Sequence, residues 1–189
     1  MQLAGLTEWI AGLEASAARF ANQTEGQITS ALANFRDKRG ELNYQLRKLQ
    51  SNPPPAGAPQ TILNDYRTLL ASALETKGRA DWLGTVADTF TNITGLGILP
   101  ALVAGVPVAV MLAGVAALVI IISQITTATG RYMGARQIAA QAISEGKDAT
   151  GALTTYYARN ASTGLFGDAA QLVWPAAIVL GAFLLLGKR

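Results

Sequence analysis

Residues 89–130 contain no charged side chain, and within them 96–122 is apolar almost throughout (LGILPALVAGVPVAVMLAGVAALVIII). As a helix rising about 1.5 Å per residue, the inner run is roughly 40 Å long. A bilayer core needs only about 20 residues. A helix apolar on every face is either enclosed by a protein core or crosses a membrane. In a chain of 189 residues there is little other structure to enclose it. The run therefore predicts a first transmembrane segment over 93–124, with Pro100 and Pro107 as kink points.

A second uncharged run covers 169–187. Its edges suit a short terminal span over 169–189. Trp174 is an interfacial aromatic, Pro175 fits a first helical turn, and Lys188 and Arg189 can snorkel to the far surface. Arg131 and Tyr132 are the expected interface anchors of the first span. Two spans put both termini on one side. Orientation is a tie, because Arg131, Arg136 and Arg159 between the spans face Arg79, Lys188 and Arg189 outside them.

Small residues recur every four positions along the first run: Gly97, Ala101, Gly105, Ala109, Ala113 and Ala117, with Gly114 beside them. Helices in lipid associate through close backbone approach, which such spacing permits. The ladder, with Ala177 and Gly181 on the second run, is the expected packing surface between spans or between copies of the chain.

The first half of the chain has a different period. Leu3, Leu6, Ile10, Leu13, Ala17 and Phe20 follow the 3-4 spacing of a heptad seam. Steps of four through Ile28 and Leu32 then resemble a stutter. The seam resumes at Phe35 and continues through Leu42, Leu46 and Leu49. This predicts a long helix over 1–50, or two helices with a weak point near Gly26 or Gly40. Three consecutive prolines end it, and 51–59 reads as a Pro-rich turn. The helical period restarts at Ile62, Tyr66, Leu69 and Ala73, with Leu63, Leu70 and Leu74 widening the face, giving a second helix over 60–92. A short connection makes the two helices an expected antiparallel hairpin. Arg36, Lys38, Arg39, Arg47 and Lys48, towards the tip of the hairpin, read as a solvated face balanced by Asp37 and Glu41, with a lipid-headgroup or partner-binding role as the alternative. Between the spans, 125–168 reads as a connecting helix and turn, with the first span continuing as helix to about Asn160 on a loose period of Met133, Ala139, Ile143, Gly146, Leu153 and Tyr157.

Composition narrows function. Only 14% of residues are charged, against about a quarter in an ordinary soluble domain. The net charge of +3 includes no basic stripe, so no nucleic-acid partner is predicted. The chain has neither His nor Cys, which removes the commonest general base, metal ligand and thiolate chemistry. No nucleophile–base pair and no phosphate loop is visible. No ionisable residue lies inside either span, which argues against coupled transport. The N-terminus, whose first basic residue is Arg19, does not read as a secretory signal. No cofactor, metal or small-molecule substrate is predicted.

The expectation is an all-α membrane protein. A long N-terminal helical hairpin leads into a long transmembrane helix that continues as a polar helix, followed by a short C-terminal transmembrane helix. The expected function is non-enzymatic and structural. The chain would sit in a lipid bilayer, a bacterial inner membrane or a virion membrane, and self-associate as a homo-oligomer. It would pack with other subunits of a bacterial or bacteriophage assembly, such as a virion membrane or tip component or a secretion or genome-delivery conduit. The alternative is a pore-forming or holin-like permeabiliser, with Ser123, Gln124, Thr126, Thr127 and Thr129 lining a mouth. A third reading is a soluble helical protein that inserts on a trigger.

Overall fold

The computed structural model describes Leu13, residues 25–94, 102, 103 and 106–159. Four helices account for nearly all of them: α1 (Glu25–Gln50), α2 (Gln60–Thr94), α3 (Val108–Ser144) and α4 (Ala149–Arg159). Between α2 and α3, β1 (Leu102–Val103) and β2 (Val106–Pro107) form one short antiparallel pair, with Leu102 opposite Pro107 and Val103 opposite Val106. Apart from this pair, the structure is helical throughout its regular elements among the described residues. The expected second span, and the residues Leu3, Leu6, Ile10, Phe20, Gly97, Ala101, Gly105, Trp174, Ala177, Gly181, Lys188 and Arg189, lie outside the described residues.

Helix boundaries follow local chemistry. α1 runs through Gly40 without a break, so the expected weak point there is absent. Arg47 and Lys48 occupy its last turn, where cations complement the negative end of the helix dipole. Asn52 then closes the helix: its Nδ2 donates to the Lys48 carbonyl at 2.8 Å and its N–H to the Leu49 carbonyl at 3.1 Å. Past the prolines, the Ala58 N–H reaches the Pro55 carbonyl at 3.1 Å, and Gly57 takes φ +78°. A four-residue turn with a left-handed third residue favours glycine there. The Pro59 carbonyl accepts the Ile62 N–H at 3.1 Å and starts α2.

α3 begins at Val108 and not in the 93–96 region. A residue preceding proline is pushed to extended backbone, so Val106 pairs as strand ahead of Pro107. The fixed φ of Pro107 then leads into the first helical turn. The first segment is therefore interrupted at 102–107, and the four-residue ladder cannot run on one continuous helix from Gly97 to Ala117.

The expected continuation to Asn160 is also interrupted. The Lys147 N–H reaches the Ala142 carbonyl at 2.8 Å and the Gly146 N–H reaches Ile143 at 3.1 Å, with Gly146 at φ +66°. This is a Schellman closure with glycine in the left-handed position. Asp148 follows at once as the N-cap of α4. Its carboxylate accepts the Thr150 and Gly151 N–H groups at 2.9 and 3.0 Å.

The chain divides into two compact units, and each long helix supplies residues to both. The first contains 25–40, 75–94 and 108–122. Its core is Ile28, Leu32 and Phe35 from α1; Ala80, Leu83, Val86 and Phe90 from α2; and α3 from Val110 to Ile122. Leu13 is buried as well. The second contains 41–74 and 123–159. It buries Leu42, Leu46 and Leu49, then Ile62, Leu69 and Ala73, and a seam on α3 of Ile125, Ala128, Tyr132, Ala135, Ala139 and Ala142. Ala149 and Leu153 of α4 complete it.

Candidate functional site

The candidate site is α3, whose two halves have different surroundings. Its most apolar stretch has a mean hydropathy of 2.6, which by length and composition suffices to cross a membrane. Yet 67% of that stretch is buried within the protein. Val110, Met111, Leu112 and Ala113 are consecutive and each at most 3% exposed. Four consecutive residues exceed the 3.6 of one turn, so α3 is covered on every side there. This corrects the expectation that the chain has too little structure to enclose such a helix. Ala113, Gly114 and Ala117 of the ladder are buried and Ala109 is half-buried. Their small side chains serve close packing inside the unit.

Helices α1 and α2 of the same unit carry charges on their exposed sides. Arg36 of α1 pairs with Asp88 of α2 at 3.5 Å, with both side chains about 60% exposed. Arg39 pairs with Asp81 at 3.5 Å and lies over the Phe35 ring, 6.0 Å from its centre. Lys77 and Arg79 pair with Asp81 and Glu75 along α2. The balancing acids for Arg36 and Arg39 thus come from α2, whereas the sequence suggested Asp37 and Glu41. Gly84 lets the Arg39 guanidinium lie against the α2 backbone, since a Cβ there would meet Nη1 at 2.2 Å. Hydrocarbon excludes such pairs, because a charge at the bilayer centre costs about 2.5–3.5 kcal/mol or more. The first unit thus carries exposed ion pairs beside its buried apolar helix.

In the second unit, polar side chains tie α3 to its neighbours. The Thr126 hydroxyl donates to Glu41 Oε1 at 2.6 Å. Tyr132, placed by the sequence at a membrane edge, is fully buried instead. Its hydroxyl donates to the Asn52 carbonyl at 2.8 Å, and its ring lies 5.4 Å from that of Tyr66. One turn on, Arg136 Nε donates to the Pro53 carbonyl at 2.8 Å. Two residues of α3 therefore grip the start of the Pro-rich connection, whose carbonyls lack helical partners. Arg131 is half-buried, and its carbonyl accepts from the Tyr156 hydroxyl at 3.2 Å.

Tyr157 of α4 donates to Asp65 Oδ2 of α2 at 2.8 Å. Burial raises the Asp65 carboxyl above its ordinary range, with the Tyr157 bond opposing. Burial also raises the Tyr157 phenol, reinforced by the Asp65 bond and charge. Tyr157 therefore stays protonated, and a donor, at any ordinary pH.

The Ser/Thr group proposed as a pore mouth is divided. Ser123, Gln124 and Thr127 are exposed, whereas Thr129 is fully buried and donates to its own helix at the Ile125 carbonyl. Among the described residues no three Asp or Glu side chains converge as a metal site. The sequence reading did not single out Asp65, placed Tyr66 only on an apolar face and Glu41 only as a balancing charge, and missed the grip of Arg136. None has a local signal, because each partner is distant in the chain. The break at Gly146-Lys147-Asp148 did carry one, a C-terminal glycine followed by an N-cap aspartate.

The chain that carries this covered apolar helix matches no known protein family, no curated protein and no solved structure.

Proposed function

We propose that this is a non-enzymatic, membrane-associating helical protein that carries its bilayer-crossing helix covered in water and self-associates once α3 is in lipid, as a subunit of a larger assembly. The observation that carries this reading is α3 itself. It is apolar enough to span, yet two-thirds buried in a unit whose outer face bears exposed ion pairs. A covered helix of this kind crosses a bilayer only if the first unit opens, because Arg36 and Asp88 cannot accompany it into hydrocarbon. The N-terminal helical hairpin then remains in water as the surface for protein contacts.

The test uses protein purified without detergent. It is expected to be monodisperse, and after incubation with vesicles to resist extraction at alkaline pH. Chemical cross-linking in the vesicles is expected to yield oligomers that Gly105→Leu weakens. Complete extraction at alkaline pH would overturn membrane insertion, and an unchanged oligomer in the variant would remove the ladder from the explanation.

The burial of α3 also favours a second reading, a membrane permeabiliser delivered in soluble form. Rapid release of an entrapped dye by the purified protein would select it over the structural role.

A further inference from the structure

The two units differ in how their charges are satisfied. In the first, each of Arg36, Arg39, Lys77 and Arg79 has an acidic partner. In the second, the acids are spent internally. Glu41 accepts from Thr126, Asp65 from Tyr157, Glu145 pairs with Lys147, and Asp148 caps α4. What remains is positive. Arg47 and Arg67 are exposed, Lys48 is half-buried, and among the described residues none of these three side chains has an ion-pair partner.

These cations flank one feature along the chain, the connection between α1 and α2. Arg47 and Lys48 form the last turn of α1, and Arg67 lies two turns into α2. Arg136 is pinned beside them through Pro53. No acidic residue occurs between positions 42 and 64. Arg47 and Arg67 are exposed on the two helices that the connection joins.

We propose that the α1–α2 connection and its cations form the face by which the protein docks on an anionic lipid bilayer. The inference rests on the membrane reading above and adds the lipid class and the contact face. Charge complementarity carries it: a surface cation near an anionic leaflet strengthens binding roughly fivefold. The cations are spread around a connection and do not converge on one point, which fits a charged surface better than a single free phosphate. The α3 helix that bonds to this connection supplies the apolar run that follows docking.

The experiment is co-sedimentation of the full chain with phosphatidylglycerol vesicles and with phosphatidylcholine vesicles at low salt. Binding is expected only to the former and is expected to fall as salt rises. R47Q/K48Q/R67Q, all outside the core, is expected to weaken it roughly a hundredfold while the melting temperature falls only slightly, through the loss of two cations at the end of α1. Arg67→Gln alone, which leaves the end of α1 intact, serves if the triple variant melts differently, with a loss of roughly fivefold. Unchanged binding by these variants overturns the proposal. So does equal binding to both vesicle types, or tighter binding to duplex DNA than to anionic vesicles at the same salt. Wild-type protein that docks on phosphatidylglycerol but is wholly released at alkaline pH supports the docking face while overturning insertion of α3.

Discussion

At the scale of single residues, Tyr132 shows how a polar atom is afforded deep in an apolar seam. Its ring is enclosed, and its hydroxyl meets a carbonyl that no helix satisfies. Tyr132→Phe keeps the ring and strands the Asn52 carbonyl, so it is expected to cost about 1 kcal/mol, measured by urea denaturation. Tyr132→Ala also opens a cavity and is expected to cost about 3–5 kcal/mol. Asp65 gives a pH signature. Its folded-state carboxyl titrates above its unfolded value of 3.8, so the neutral form is favoured by folding. That contribution is full below the unfolded value and is lost as pH rises through the folded one. Asp65→Asn keeps an oxygen for Tyr157 and removes the titration. Its melting temperature relative to wild type is expected to climb between pH 3 and 7, and a difference independent of pH would refute the assignment. The sequence could not announce either residue. Tyr132 looks like an interfacial aromatic because tyrosine suits a membrane edge, and its carbonyl partner lies 80 positions away.

At the scale of elements, periodicity was a good guide where the buried residues are large. The seam Ile28, Leu32, Phe35, Leu42, Leu46 and Leu49 on α1 is buried as one face. It was a poor guide where they are small. On α3 the seam from Ile125 to Ala142 keeps 3-4 spacing but is built chiefly of alanine. The eye selects Met133 and Ile143 instead, which are only half-buried. Leu74, placed by the sequence on the widened apolar face of α2, is 48% exposed. The turn between α3 and α4 was legible but overridden by the expectation of a continuous helix. Its chemistry makes a sharp prediction. Gly146 holds a left-handed backbone, so Gly146→Ala is expected to cost about 1 kcal/mol, and Gly146→Asn less. Asp148→Ala removes two bonds to the first turn of α4 and is expected to cost about 0.5–2 kcal/mol. Thermal melts of these variants decide the matter, and a stabilised Gly146→Ala would show that the turn is not formed.

At the scale of the whole molecule, hydropathy and packing make opposite statements about one helix. Composition makes α3 apolar enough to cross a bilayer, while packing buries most of its apolar stretch inside the protein. The two are reconciled if the packed state is a stored one, and stability then opposes insertion. Leu118 is fully buried in α3. Leu118→Ala is expected to lower stability by about 2–5 kcal/mol while leaving the run uncharged. Association with vesicles should therefore become faster, read by stopped-flow light scattering, and slower association would sink the stored-helix reading. Chain order has a bearing on how such a state is reached. Helices α1 and α2, which share both units with α3, precede it in the chain, and synthesis proceeds at roughly 5–20 residues per second. The 37 residues of α3 thus take about 2–7 s to emerge, whereas helices form within about a microsecond. The partners are waiting before the apolar helix is complete, so translation itself sets the race between folding and capture by a membrane. A rearranged chain in which 108–144 emerges ahead of 25–94 loses that head start and is expected to partition into membranes as it is made.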